Sequence, residues 1–207
     1  TLRLKHPNLR TLILKAAELL ASLTHSHIIK VLDVFQDESG FYIVEELCKG
    51  HDLCSLLKEM SARGKQLDEE EARSLVKQLE SAISYMHKVG ICHRDIKLEN
   101  MILAESGNLN SLKIIDFGLS TRFEAGVKMT EQVGSPYTAA PEIILGYYDE
   151  KVDMWSAGVI AYMILSGKEV FSAQILQVLK KRILYDEIAL KGKEWNGISS
   201  QGKDFVM

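Results

Sequence analysis

Proline is nearly missing from this sequence, with only Pro7, Pro136 and Pro141 among 207 residues. That argues against a proline-rich spacer, and no Ser-rich linker, low-complexity tract or internal repeat takes its place. Cysteine is equally scarce. Cys48, Cys54 and Cys92 are odd in number and unevenly spaced, which reads as reduced thiols in the cytosol or nucleus rather than a disulfide framework. No apolar run reaches the ~20 residues that span a bilayer; the longest, Met154 to Leu165, is much shorter. No N-terminal signal pattern is visible. With a net charge of −3 and no basic block or basic-aromatic stripe, nucleic acid is not an expected partner.

The remainder is ordinary: 46% hydrophobic and 26% charged residues fit a globular protein with a sizeable core. Apolar residues at 9, 12, 13, 16, 17, 19, 20 and 23 form a helical stripe behind Pro7-Asn8. Ile28 to Phe35 and Phe41 to Leu47 read as strands joined by a turn at Asp37-Glu38-Ser39-Gly40. Asp68 with Glu71 three residues on makes a capping box, predicting a helix that runs towards Lys88 and stops before Gly90. Ile102-Leu103 and Leu112 to Ile115 suggest a short hairpin. Val152 to Leu165 is apolar all round and predicts a buried helix. From Gln174 onward the chain reads as helical and then polar. Cys48-x-x-His51-x-x-Cys54 offers three soft ligands, one short of the usual zinc set, so these thiols are expected to pack rather than bind metal.

The most informative stretch is His93-Arg94-Asp95-Ile96-Lys97-Leu98-Glu99-Asn100, followed by Asp116-Phe117-Gly118 and Ala140-Pro141-Glu142. Phosphoryl transfer needs a proton acceptor for the attacking hydroxyl, oxygen ligands for magnesium and a cation beside the moving phosphate. Asp95, Asn100 with Asp116, and Lys97 supply these in order. All three motifs in sequence are not a plausible accident, and the chain resembles a eukaryotic protein kinase.

That resemblance implies an α+β, two-lobed fold that uses ATP and Mg²⁺. Residues 1–48 would be a partial small lobe, strand-rich and reaching a hinge near Glu46 to Lys49; residues 49–207 would be the larger helical lobe. The glycine-rich phosphate loop and the first strands would precede Thr1, and the last helices would follow Met207. Catalytic roles fall on Asp95, Lys97, Asn100 and Asp116, with metal held by Asn100 and Asp116. The nucleotide would meet Lys5, Glu45, Glu46, Cys48, Asp52 and Ile102, with Ile102 beneath the adenine and the backbone of Glu46 and Cys48 along its edge. Phe117 and His93 would stack with Leu20 and Val31, anchored by Asp153. A Lys two residues after the catalytic Asp is the serine/threonine pattern. Asp52, aided by Glu99, would receive a basic side chain three residues before the target, while Met163 replaces an acid found in some basophilic kinases.

Phe123 to Glu131, Gly134-Ser135-Pro136-Tyr137 and Tyr148 to Ser156 look most like calcium-dependent protein kinases of plants and apicomplexans, within the calcium/calmodulin-dependent group. In that family an acidic residue often replaces the phosphorylated threonine, and Glu131 falls there, with Arg94 as its expected partner. No D-x-[DN]-x-[DN]-G calcium loop occurs in these residues, so a calcium-sensing regulatory domain is expected outside them. Three departures touch the small lobe. Arg3 stands where the family has a small residue, Ala16 where a glutamate should pair with Lys5, and Glu45 at the usually apolar gatekeeper position. Glu45 should therefore be paired, protonated or exposed, and pairing with Lys5 would relieve two anomalies together. These departures are the basis for a competing reading, a pseudokinase scaffold.

Overall fold

Asp68 begins the longest helix as the sequence predicts. Its side chain accepts from the Glu71 backbone at 2.8 Å, and Glu71 Oε2 accepts from the Asp68 N–H at 3.0 Å, a reciprocal cap. In this computed structural model, which describes residues 17–37 and 40–207, helix α1 covers 17–21. Strands β1 (Val31–Gln36) and β2 (Phe41–Glu45) follow, then α2 (Leu53–Ala62), α3 (Glu69–Lys88) and β3 (Ile91–Cys92). Beyond them come a 3₁₀ turn (Leu98–Asn100), β4 (Met101–Leu103), β5 (Leu112–Ile114), β6 (Thr121–Arg122), α4 (Pro141–Leu145) and α5 (Val152–Ser166). A second region, α6 (Leu176–Tyr185), a 3₁₀ turn (Lys193–Trp195) and α7 (Ser200–Phe205), completes an α+β chain.

The strands pair antiparallel in twos: β1 with β2, β3 with β6 and β4 with β5. Asp37 N–H donates to the Gly40 carbonyl at 3.0 Å, closing the first hairpin where the sequence predicts a turn. Two boundaries differ. Ile28 does not open β1; it bridges to Ile114, and Ile29 N–H donates to the Ile114 carbonyl. β2 ends at Glu45, because Glu46 N–H turns to the Lys30 carbonyl beyond the ladder. The Leu9 stripe is helical over 17–21; its earlier part, with Lys5, Arg3 and Ala16, lies outside the described residues.

α3 buries Leu75, Leu79, Ala82, Ile83 and Met86, one stripe at helical spacing. It packs on α5, whose buried face includes Ala157, Ile160 and Ile164. Each such Leu or Ile stabilises the fold by about 1.5–3 kcal/mol. The same core holds Leu20, Phe117, Ile96 and Met101, with Val31 packed against it, so the loop after β3 is fastened to the interior. The tail is less polar in effect than its sequence suggests. Trp195 is buried against Val76 and Ala161, and Ser199 and Glu69 join the tail to the start of α3.

Candidate active site

The loop after β3 is held from below by one buried carboxylate. Asp153, on α5, accepts the His93 N–H through Oδ2 and the Arg94 N–H through Oδ1, each at 2.9 Å. His87 Nε2 lies 2.8 Å from Oδ2. With Cys92 Sγ, these ligand-type atoms lie within 4.8 Å of one another. Burial opposes the ionised form of Asp153, yet hydrogen bonds from His87 and the His93 backbone hold the carboxyl below its ordinary range. Burial, then the Asp153 charge, pushes the Cys92 thiol up. The loop needs this hold because Arg94 has φ 67°, a left-handed conformation unfavourable for a long side chain.

Above that anchor, Asp95 is 7% exposed and its carboxylate is fully engaged. Oδ2 accepts from Lys97 Nζ at 2.7 Å and from Asn100 Nδ2 at 3.2 Å. Oδ1 accepts the Ser135 N–H at 2.8 Å, and Ser135 Oγ lies 3.0 Å from Lys97 Nζ. Burial works against the Asp95 charge, but Lys97 and Ser135 outweigh it and lower the pKa. Ser135, forty residues from Asp95, is a site residue to which the sequence reading gave no role. Gly134 makes its approach possible: φ is 99° and a Cβ would collide with the Arg94 carbonyl oxygen.

Asn100 is buried, and its Nδ2 also donates to the Asp95 carbonyl at 3.0 Å. Both contacts use Nδ2, and among the described residues no hydrogen bond engages Oδ1. The Ile115 N–H bonds the Asn100 carbonyl at 2.9 Å, tying Asp116 to the same floor. Asp116 is exposed, has φ 61°, and accepts the Gly118 N–H at 3.2 Å. The His93 and Phe117 rings meet edge to face at 4.8 Å, as the resemblance implies. Burial lowers the His93 pKa.

The segment after β2 forms a second wall. Lys49 N–H and Gly50 N–H donate to the Ala104 and Leu103 carbonyls, and Asp52 bridges to Ile102. Gly50 is required here, since a Cβ would stand 2.6 Å from Leu103. Glu46 uses its side chain structurally: Oε1 accepts the Lys30 N–H at 2.8 Å and pairs with Lys113 Nζ at 2.7 Å. Among the described residues, no hydrogen bond engages the Glu46 carbonyl or the Cys48 N–H. Cys48 and Cys54 pack against the main core as expected, and burial is the leading cause raising both thiols. Asp52 caps α2, accepting from Ser55 N at 2.8 Å and Ser55 Oγ at 2.6 Å, a local role the sequence reading passed over. Glu45 is exposed; shielding of its carboxyl, then the charge of Asp116, raises its pKa. Among the described residues no ion pair includes Glu45, and Lys5, its suggested partner, lies outside them.

Arg94 Nη1 reaches Glu131 Oε2 at 2.7 Å, while Arg94 Nε donates to the Leu119 carbonyl at 2.7 Å. Among the described residues, no helix is long and apolar enough to cross a membrane.

A family model for the protein kinase domain matches residues 3–207. The chain is 38% identical over 194 residues to calcium-dependent protein kinase 3 of Plasmodium yoelii yoelii, covering 91% of this chain and 35% of that protein. It is 36% identical over 193 residues to calcium/calmodulin-dependent serine/threonine-protein kinase 1 of Oryza sativa subsp. japonica, covering 93% and 32% respectively. For calcium-dependent protein kinase 4 of Plasmodium falciparum the identity is 37% over 195 residues, covering 94% and 36%. The chain thus spans about a third of the length of these curated relatives. Its helices, short antiparallel strands, anchored loop and family match agree: the chain belongs to the protein kinase domain family.

Proposed function

We propose that this chain is the catalytic core of a serine/threonine protein kinase. The observation that carries the reading is the pair of contacts that Ser135 makes with Asp95 and Lys97, joining proton acceptor, cation and substrate-side loop in one network. Asp95, kept ionised by Lys97 and Ser135, accepts the hydroxyl proton and orients the attacking oxygen. Lys97 places an ammonium charge where negative charge develops. Asn100 Oδ1 and the exposed Asp116 carboxylate are hard oxygen donors suited to Mg²⁺. The Glu46 carbonyl, the Cys48 N–H and the Ile102 side chain would hold the adenine, with Lys5 assigned to the phosphates. When bound, ATP supplies the phosphoryl group and Mg²⁺ offsets its charge.

Residues 1–48 would form the small-lobe part and 49–207 the large lobe. The relatives' names support calcium control, exerted by a segment outside these residues. Asp52 and Glu99 support a basic residue ahead of the target serine or threonine. Free thiols at Cys48, Cys54 and Cys92 fit a reducing compartment, cytosol or nucleus. The pseudokinase alternative lacks support, since the matched relatives are named as kinases and the four catalytic-loop and magnesium side chains are all present. The test is γ-phosphate transfer by the full-length protein with magnesium to serine, threonine and tyrosine peptides. Transfer to serine or threonine alone is expected; transfer to tyrosine, or none, contradicts the reading.

A further inference from the structure

The segment 128–132 is fastened at several points to the end of α4 and the connection into α5. Lys128 Nζ pairs with Asp149 Oδ2 at 2.7 Å. Met129 N–H donates to the Tyr148 carbonyl at 2.8 Å, and Tyr148 N–H returns a bond to the Met129 carbonyl at 3.1 Å, an antiparallel bridge. Gln132 Nε2 donates to the Ile144 carbonyl at 2.9 Å. Glu131, the residue that meets Arg94, lies within this strap.

Tyr148 is 1% exposed. Its ring packs with Cys92 of β3, Ile143 of α4 and Val152 of α5, so the side chain is fixed by the interior rather than by the loop. Its hydroxyl carries one donor and two acceptor sites. It donates to the Glu131 carbonyl at 2.6 Å and accepts from Arg94 Nη1 at 3.3 Å. The same Nη1 reaches Glu131 Oε2 at 2.7 Å. Glu131 is therefore gripped twice, at its carboxylate by Arg94 and at its backbone by Tyr148. The two grips differ in kind. The Glu131 side chain is 68% exposed, so solvent and salt weaken its ion pair. The tyrosine bond is buried and uncharged, and burial is the leading cause raising the Tyr148 pKa, which keeps the phenol protonated to donate.

We propose that Tyr148 is a positioning residue for phosphoryl transfer, its hydroxyl holding the Glu131 backbone so that the carboxylate is aimed at Arg94. Arg94 in turn adjoins Asp95, and both backbone and side chain of Arg94 are held, by Asp153 and by this pair. The proposal rests on the kinase reading and deepens it. The loop is set by a tyrosine anchored in the core as well as by the acid on its surface.

The experiment is a double-mutant cycle on full-length protein. Wild type, Tyr148→Phe, Glu131→Ala and the double variant are compared by kcat for a serine peptide and by amide hydrogen exchange over residues 129–133. Phenylalanine keeps the packed ring, and the Glu131 carbonyl still accepts the Val133 N–H at 3.1 Å, so the fold should persist. Tyr148→Phe is expected to lower kcat about two- to fivefold, the lower part of what one hydrogen bond contributes, and by no more than Glu131→Ala does. In the Glu131→Ala background the same change should leave kcat nearly unchanged, because no carboxylate remains to be aimed. Loop exchange should quicken in Tyr148→Phe while α3 and α5 exchange as in wild type. Tyr148→4-aminophenylalanine, which restores a donor on the same ring, should recover both readouts. A loss that is equal with and without Glu131, a loss larger than that of Glu131→Ala, or loop exchange equal to wild type overturns the proposal. No phosphate transfer by wild type, together with faster loop exchange in Tyr148→Phe, would refute the kinase reading and uphold the Tyr148 hold on the loop, whereas transfer with additive losses would do the opposite.

Discussion

Arg94 and Glu131, 37 residues apart, are joined by a 2.7 Å contact between guanidinium and carboxylate. The pair is lopsided: the Arg94 side chain is 7% exposed and that of Glu131 68%. Burial opposes the Arg94 charge, but Glu131 and Tyr148 more than offset it and raise its pKa. Tyr148 also donates from its hydroxyl to the Glu131 carbonyl at 2.6 Å. The carboxylate thus meets the arginine that, by the resemblance to protein kinases, would otherwise pair with a phosphorylated threonine.

Activity is therefore expected without phosphorylation of the loop. Phosphatase-treated wild type should keep its rate, while Glu131→Ala loses about 1.4- to fivefold, a range set by solvent screening of an exposed acid. Glu131→Thr should be equally slow until phosphorylated. Should phosphatase silence the wild type while Glu131→Ala matches it untreated, another residue is the switch.

Asp153→Asn tests the anchor. An amide cannot accept from the His93 N–H, the Arg94 N–H and His87 with both oxygens. The variant should lose about 3–5 kcal/mol of stability, seen in denaturant unfolding, together with its activity. A stability within error of wild type would show that the loop is held by something else.

How much of this was legible beforehand depended on locality. The α3 cap, the apolar α5 and the contiguous Asp95 motif could be read because their signals lie within a few residues. Asp52 and Ser55 are equally close, but Ser55 is not the Glu or Gln that completes a capping box, so this cap carries no sequence signature. Ser135 was hidden for another reason: a serine forty residues from Asp95 carries no periodic or charge signal. Burial of Trp195 was hidden by its polar neighbours, since the apolar surface it meets comes from α3 and α5. The structural use of Glu46 depends on Lys113, which lies far away in the sequence and meets it only in the fold.

Gly134→Ala should separate geometry from chemistry. The added Cβ meets the Arg94 carbonyl and the positive φ becomes unfavourable. The turn must open, pulling the Ser135 N–H from Asp95. We expect phosphate transfer to fall at least about tenfold, with a stability loss of only about 1–2 kcal/mol. Unchanged kcat would remove Ser135 from the account.

Stability should also fall with mild acid. Burial lowers the pKa of His93 from its ordinary 6.5, so the unfolded chain takes up a proton at a higher pH than the folded one. The contribution is complete above about pH 6.5 and is lost as pH falls towards the lower folded value. His25, lowered by burial, His27 and Lys113, acts in the same window. Thermal midpoints measured from about pH 7.5 to pH 5 should drop for wild type and drop less for His93→Phe. Equal slopes would rule His93 out as a contributor.

The central claim is that Asp95 is the proton acceptor of a working phosphotransferase, and Asp95→Asn measures it most directly. Asparagine preserves the shape and can still accept from Ser135, so the fold should persist. With magnesium, ATP and a serine peptide, the account predicts that kcat falls about 10²–10⁴-fold while nucleotide affinity and thermal midpoint change little. Wild type and variant transferring phosphate at the same rate, or both failing to transfer while still binding nucleotide, would contradict it.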